Sequence, residues 1–287
     1  MRDAIARAAA LVAEASGLLI TAGAGMGIDS GLPDFRGNEG MWRAYPALGR
    51  ARLDFTEIAN PAAFARTPRL AWGFYGHRLK LYRETVPHPG FAILAALAAA
   101  KPDGAFVVTS NVDGAFQKAG FAEERVCEIH GSIHFLQCTG PCGDDIRPAD
   151  DLAPEIDAER CEMISPLPAC PACGALARPN ILMFGDFAWL PERTEAQHSR
   201  LRRWLDAASG PVILEFGAGT AIPTIRSLGD RSGPPLIRVN PREPEVRKAG
   251  DIGVAMGALE FCERLREELA GTDGARLTPP SGSARPD

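Results

Sequence analysis

Residues 18–37, LLITAGAGMGIDSGLPDFRG, are the stretch whose reading decides the fold. The apolar run Leu18-Leu19-Ile20 is too short for a helix and suits a strand buried in a parallel sheet. It breaks into Gly23, Gly25 and Gly27, separated only by Ala24 and Met26. Glycines at such a turn allow positive φ and a close approach of backbone to ligand. Successive bare N–H groups at a strand end also cradle a pyrophosphate. The spacing fits the dinucleotide pattern G-x-G-x-x-G only loosely, and a tight turn in any α/β protein uses the same residues. The continuation is more specific. Pro33 disfavours helical geometry at Leu32, so the loop runs on and presents Asp34, Phe35 and Arg36 beside the glycines. An aromatic ring between a carboxylate and a guanidinium reads as a flap that covers a bound cofactor and excludes water.

Working outward, the 287 residues allow one large domain or two small ones around a sizeable core. With 46% hydrophobic and 23% charged residues the composition is that of a soluble globular protein. A net charge of −5 gives no general reason to expect nucleic-acid binding. No apolar run approaches the roughly 18 residues that span a bilayer, so no membrane partner is expected. The N-terminal MRDAIARAAALVAEAS reads as an amphipathic helix without a clear signal-peptide cleavage site, which points to the cytoplasm. Seven cysteines, four of them in two close pairs, favour metal over disulfides in such a chain.

Residues 2–16 read as a helix leading into the Leu18 strand. Residues 38–84 are rich in aromatics and punctuated by Pro46, Pro61 and Pro68, the pattern of a helical insertion. A helix follows from Gly90 to Ala100, then the buried strand Phe106–Thr109, which ends in Ser110-Asn111-Val112-Asp113-Gly114. Polar side chains at the C-terminal end of a parallel strand are where α/β proteins place ligands. Arg125–Ile129 gives a further strand ending in His130-Gly131-Ser132. From Phe135 to Arg178 the reading is loops with cysteine pairs, prolines and an acidic stretch from Asp144 to Glu162. Regular α/β alternation resumes at the strand Ile181–Gly185, the helix 191–208, the strand Val212–Phe216 with its turn Gly217-Ala218-Gly219-Thr220, and the strand Leu236–Asn240. Residues 256–270 form the last helix, and the Gly/Pro/Ser-rich remainder, 271–287, reads as disordered.

Three constellations carry chemistry. Cys138-x3-Cys142 and Cys170-x2-Cys173, each followed by glycine, suit a closed tetrahedral thiolate site with one structural Zn2+; unligated cysteines are the alternative. Cys161, between the pairs, is a substitute ligand candidate, whereas Cys127 and Cys262 read as buried thiols. His130 follows a strand and is flanked by Gly131, so its imidazole can project into a cleft, where a near-neutral pKa suits a general base. Tyr75 and Arg78 lie one helical turn apart on a single face, where a phenol and a guanidinium can jointly grip a carboxylate; a core tyrosine beside a surface arginine is the alternative.

GAGMGIDSGLPDFRG (23–37), SNVDG (110–114) and EIHGS (128–132) together resemble the signature segments of the sirtuins, the NAD-dependent protein deacylases, and the likeness runs to about residue 270. The resemblance implies an α/β fold: a Rossmann-like parallel sheet with a smaller helical plus zinc-binding domain. The NAD-binding domain would be 1–37, 85–134 and 179–270, and the small domain 38–84 and 135–178, with the site in the cleft between them. It implies NAD contacts from Gly23, Ala24, Gly25, Met26, Asp34, Phe35, Arg36, Ser110, Asn111, Asp113, His130, Gly217, Ala218, Gly219 and Asn240. His130, Asn111 and Asp113 would be catalytic, the Asn and Asp forming the pocket for nicotinamide and its ribose. The family's zinc module implies Cys138, Cys142, Cys170 and Cys173 as ligands. Phe184-Gly185-Asp186 resembles the segment that pairs with a substrate peptide as an added strand. Tyr75 and Arg78 match the pair marking sirtuins that act on succinyl-, malonyl- or glutaryl-lysine, which makes acylated lysine in proteins the expected partner and acidic acyl groups the expected preference, with acetyl second. The departures are Ser110 for the family's Gln, Gly27 for its Ser, an altered 217–220 turn and one extra residue in the first cysteine pair. Two other functions use the same pocket: NAD glycohydrolysis or ADP-ribosyl transfer, and non-catalytic NAD sensing. The oligomeric state is not readable from the sequence.

Overall fold

The computed structural model describes residues 2–33, 37–140, 142–143 and 145–276. Asp34, Phe35 and Arg36, expected as a flap, lie outside the described residues, as does 277–287. The chain opens with helix α1 (Arg2–Glu14), strand β1 (Gly17–Ala22) and a 3-10 helix (Ala24–Ser30). Helices α2 (Gly37–Ala44), α3 (Pro46–Arg50), α4 (Phe55–Ile58), α5 (Pro61–Arg66), α6 (Pro68–Glu84) and α7 (Pro89–Ala99) follow. Next come β2 (Ala105–Thr109), α8 (Ala115–Lys118), β3 (Val126–Glu128), β4 (Gly131–Cys138) and the two-residue strands β5 (Arg147–Pro148), β6 (Ile156–Asp157) and β7 (Glu162–Met163). The chain then runs through β8 (Ala177–Ile181), α9 (Glu192–Ala207), β9 (Pro211–Phe216), α10 (Thr224–Arg231), β10 (Leu236–Val239), β11 (Ile252–Val254) and α11 (Ala258–Arg276).

Six strands form one parallel sheet in the order β11-β10-β9-β1-β2-β3. All residues of β1 are buried, because side chains alternate between two covered faces. Leu18, Ile20 and Ala22 pack with α1, α7 and α11, whereas Leu19 packs with α9 and α10. Each large side chain so buried contributes roughly 1.5–3 kcal/mol. The chain winds from β1 to β2 and β3 on one side, and places β9, β10 and β11 on the other. The direction of winding therefore switches between β1 and β9, and there the ends of the strands leave a crevice.

Two glycine turns meet at that crevice. The Gly25 N–H donates to the Gly217 carbonyl (3.2 Å) and the Gly23 N–H to the Phe216 carbonyl (2.9 Å). A Cβ on Gly23 would stand 2.9 Å from the Gly217 oxygen, and one on Gly217 would stand 2.4 Å from the Gly25 Cα. The expectation that Gly23, Gly25 and Gly27 supply positive φ is not met: the left-handed residues here are Gly31 (φ 81°) and Gly217 (φ 58°). The first turn needs glycine for close approach between two backbones.

A second core joins α2–α6 to β4, β7 and β8 through Tyr45, Phe64, Trp72, Phe74, Tyr75, Ile133, Leu136 and Ile181. The Trp72 indole donates to the Ala177 carbonyl (2.9 Å), tying the longest insertion helix to β8. This region corrects the expected strand at Ile181–Gly185. The strand is β8, which ends at Ile181 and pairs antiparallel with β4 rather than joining the parallel sheet. A short apolar run signals burial but not which sheet buries it. Likewise the expected loops of 135–178 contain the second half of β4, with β5, β6, β7 and the start of β8. Helix α10, polar on most of its surface, and the three-residue β11 were not expected. Helix α11 continues to Arg276, beyond the expected end at 270. Among the described residues no helix is long and apolar enough to cross a membrane.

Gly217→Ala combines a left-handed backbone with a clash against Gly25. It is expected to lower stability by about 2 kcal/mol or more, read by denaturant unfolding; a loss below about 0.5 kcal/mol would refute the close-approach account.

Candidate active site

The crevice floor is built from the ends of β1, β2 and β9. Asn111, just past β2, donates through Nδ2 to the Gly23 carbonyl (3.0 Å), while its N–H donates to Thr109 Oγ1 (3.0 Å). Thr109 Oγ1 in turn donates to the Ala22 carbonyl (3.0 Å). The Ser110 N–H donates to that same carbonyl (3.1 Å). The polar segment after β2 is thereby clipped to the glycine turn after β1. Asp113 accepts the Ala115 N–H through Oδ1 (2.9 Å). Burial raises its pKa, the Ala115 N–H works against that, and the Glu128 charge adds to it.

His130 sits between β3 and β4. Gly131 has φ 76°, and a Cβ there would stand 2.1 Å from the Asn180 carbonyl oxygen, so glycine is what lets β4 start pairing with β8 immediately after the histidine. Burial lowers the His130 pKa, and a hydrogen bond to the Ser110 backbone partly offsets it. The net shift favours the neutral ring, the form a general base requires. Its Nε2 lies 3.4 Å from Thr224 Oγ1 at the start of α10. Thr224 is a neighbour that sequence reasoning missed. Its one local signal is a position just after Pro223, where helices begin.

The structure therefore brings Gly23, Gly25, Ser110, Asn111, His130 and Gly217 to one crevice. A cavity of about 210 Å³ opens beside the two glycine turns, lined by Gly25, Ile28, Asp29, Gly217, Pro241 and Arg242. Ala24 is exposed on the 3-10 helix and Ala218 is buried behind the second turn, followed by the half-buried Gly219. The Met26 side chain is fully buried in the sheet core and its carbonyl meets His88 Nε2 (3.0 Å). Asn240 lies behind the second glycine turn. Fully buried, it donates to the Ala218 carbonyl (3.0 Å) and accepts the N–H groups of Arg242 (3.0 Å) and Glu243 (3.1 Å). These bonds hold the second glycine turn in place.

The segment Phe184–Asp186 divides. Phe184 is partly exposed, its N–H donating to the Ala59 carbonyl (2.9 Å), and Gly185 has φ 65°. The Asp186 side chain, expected at the substrate, turns inward and pairs with both terminal nitrogens of buried Arg178 (2.7 and 2.8 Å). It fixes the loop whose backbone stays at the surface. Phe187 beside it is fully exposed.

Tyr75 and Arg78 do lie on one face of α6, but the expected joint grip is not what the bonding shows. Tyr75 is buried and stacks on Phe64 with ring centres 5.6 Å apart. Arg78 directs Nε (2.9 Å) and Nη2 (2.6 Å) to the hydroxyl of Tyr82.

Cys138, Cys142, Cys170 and Cys173 converge with all four sulfurs within 4.8 Å of one another. The Cys138–Cys173 and Cys142–Cys170 separations are 3.7 and 3.6 Å. A zinc tetrahedron with bonds of about 2.3 Å has edges of about 3.8 Å, so the thiolate set fits that ion. The backbone N–H groups of Cys173 and Ala172 hold the Cys170 thiol down at about 7. Cys161 is not in this cluster. It is buried at φ 55° with its carbonyl against Gly73 of α6, which excludes it as a substitute ligand in this arrangement.

The sequence profile of the Sir2 family matches residues 23–203. An NAD-dependent protein deacylase of Aeropyrum pernix is 32% identical over 273 residues, covering 93% of this chain and 98% of the relative. A deacylase of the same description from Pyrococcus furiosus is 32% identical over 264 residues, covering 90% and 95%. A solved Sir2 homologue in complex with NAD superposes with TM-score 0.68 at 26% identity over 92% of this chain and 93% of its own. A mutant Sir2 homologue bound to ADP-ribose gives 0.69 at 26% identity over 94% and 98%.

The thiolate geometry predicts that the purified chain carries a bound metal. Stripping it with a strong chelator, or Cys173→Ser, is expected to lower the melting temperature by several degrees or more; an unchanged melting curve with no metal released would refute the site.

Proposed function

The chain belongs to the Sir2 family, and on that premise we propose that it removes acyl groups from lysine side chains of proteins, consuming NAD and releasing nicotinamide and O-acyl-ADP-ribose. It is a sirtuin-type NAD-dependent deacylase. The observation that carries the proposal is a half-buried His130, shifted toward the neutral ring and hydrogen-bonded to the Ser110 backbone, beside an Asn111 clipped to the Gly23 turn at the sheet's switch point. NAD supplies an activated ribose whose anomeric carbon is attacked by the acyl oxygen.

The residues divide the work. The turns at Gly23–Gly25 and Gly217–Gly219 would receive the pyrophosphate and adenosine side. Asn111 and Asp113 would shape the nicotinamide pocket, the former with its carbonyl oxygen turned from the Gly23 bond. His130 would take the proton from a ribose hydroxyl at Nε2, and the Ser110 carbonyl would hold its other nitrogen, fixing the tautomer. The amide oxygen is a weak nucleophile, so holding the reactants together and keeping water off the sugar is most of the catalytic task. The parallel-sheet unit would bind NAD, while a smaller unit of α2–α6 and the antiparallel strands, stapled by one structural zinc, would form the other wall of the cleft. The Phe184–Gly185 backbone would pair with the peptide.

For the acyl group we favour a carboxylate-bearing chain, with acetyl second. The support is a guanidinium, Arg78, buried in a nest of aromatics: it lies 5.2 Å from the Phe74 ring centre and 5.4 Å from that of Tyr82. A buried cation would favour an anionic group brought beside it.

Nicotinamide release should depend on acyl peptide, be lost in His130→Ala, and favour succinyl- over acetyl-lysine in wild type but not in Arg78→Met. Release of ADP-ribose without peptide would instead identify an NAD hydrolase. The lowered His130 pKa sets the pH profile. Activity requires the neutral ring, so the acid limb of kcat/KM should fall below the ordinary histidine value of about 6.5; a limb centred above 6.5 would remove His130 as the base.

A further inference from the structure

We propose that His134 is a positioning residue for NAD: its imidazole anchors the backbone at Asp113 and so fixes the nicotinamide wall of the pocket, an assignment that rests on the NAD-binding reading above. Strand β4 starts directly after His130 and carries His134 in its middle. Its pairing with β8 is interrupted there. Ser132 pairs with Asn180 and Leu136 with Pro179, so Ile133, His134 and Phe135 have no counterpart on β8. A bulge of this kind bends its strand and re-aims the side chains on it. Pro179 also has no N–H with which to continue the ladder.

Released from β8, the bulge bonds the loop after β2 instead. The Ile133 N–H donates to the Val112 carbonyl (3.0 Å). His134 Nε2 lies 2.8 Å from the Asp113 carbonyl oxygen. A carbonyl can only accept, so Nε2 carries the proton in this bond. The ring, half-buried, also fills the space beside Gly114: a Cβ there would stand 2.9 Å from its Cδ2 and 3.0 Å from its Nε2. Gly114 has φ 71°, so the loop turns through the left-handed region against the imidazole. The histidine's own backbone is held as well, its carbonyl accepting the Ala149 N–H (2.8 Å).

The segment after β2 is therefore fixed at both ends. Asn111 ties it to the Gly23 turn, and His134 ties it to β4. The Asp113 carboxylate accepts the Ala115 N–H (2.9 Å) while its carbonyl accepts from His134, so side chain and backbone are both placed. His130 immediately precedes the same strand. One strand thus sets the general base and the wall against which nicotinamide would sit, and the bulge is what lets it do both.

The test measures the Kd of NAD and of ADP-ribose, which lacks the nicotinamide, on the full chain by calorimetry. His134→Gln keeps an N–H donor at nearly the same reach, and His134→Met has that length without the donor. The Met variant is expected to weaken NAD about fivefold to thirtyfold, the loss of one hydrogen bond with a part-buried carbonyl left unpaired. Its ADP-ribose affinity should stay at the wild-type value, which also reports that it is folded, and the Gln variant should match wild type for both ligands. Equal losses for NAD and ADP-ribose, a Gln variant as weak as the Met variant, or no loss in either would overturn the assignment and leave the NAD-binding reading standing. A second readout needs no variant. The ring nitrogen shifts of His134 should show its proton on Nε2, and a proton on Nδ1 alone overturns the bond. A wild type that binds neither NAD nor ADP-ribose overturns both the reading and the assignment.

Discussion

The contact between the two glycine turns is the constraint on which the rest depends. β1 and β9 are neighbours in register, Ala22 beside Phe216, so both strands end at the same level and their turns must share one small space. They share it because neither carries a Cβ at Gly23 or Gly217. Once the turns interlock, the Gly23 carbonyl is presented to Asn111, the segment after β2 is drawn in, and the Ser110 backbone meets His130. The crevice is thus a consequence of strand order joined to the absence of two side chains.

Buried charge holds the walls of that crevice. Arg238 on β10 bonds both oxygens of Glu215 on β9 and reaches Asp230 on α10 (2.8 Å), whose first residue, Thr224, faces His130. Arg178 and Asp186 do the same for the loop after β8. Breaking a buried pair by removing one partner costs about 3–5 kcal/mol, whereas an exposed pair is worth little. These pairs therefore give fixed positions to loops that backbone hydrogen bonding alone would leave less determined. The insertion has its own logic: aromatics of α6 fill a second core while Arg78 takes a phenol as partner within it.

Much of this was readable in the chain. The strand at Leu18–Ile20, the polar segment after β2, His130 ahead of Gly131 and the two cysteine pairs all stand out because local sequence carries their physics: apolar runs, glycine and ligand spacing. Other motif positions are governed by distant partners. Met26 and Asn240 occupy motif positions, yet one side chain is spent in the core and the other on backbone groups of its own loop. Asp186 lies in a recognisable segment and faces inward to Arg178. Whether a polar residue serves a ligand or its own scaffold depends on what lies opposite it, and that partner is distant in sequence.

The sequence alone determined the architecture's class, the parallel sheet with its glycine crevice, and the chemistry available there, because burial patterns and glycine needs act over a few residues. Only the tertiary structure decided which groups meet. It set β8 against β4, brought Thr224 to His130 across 94 residues, closed the four sulfurs to one cluster without Cys161, and paired Arg78 with Tyr82 instead of Tyr75. Those outcomes rest on rotamers and on contacts between segments far apart in the chain, which residue spacing cannot encode.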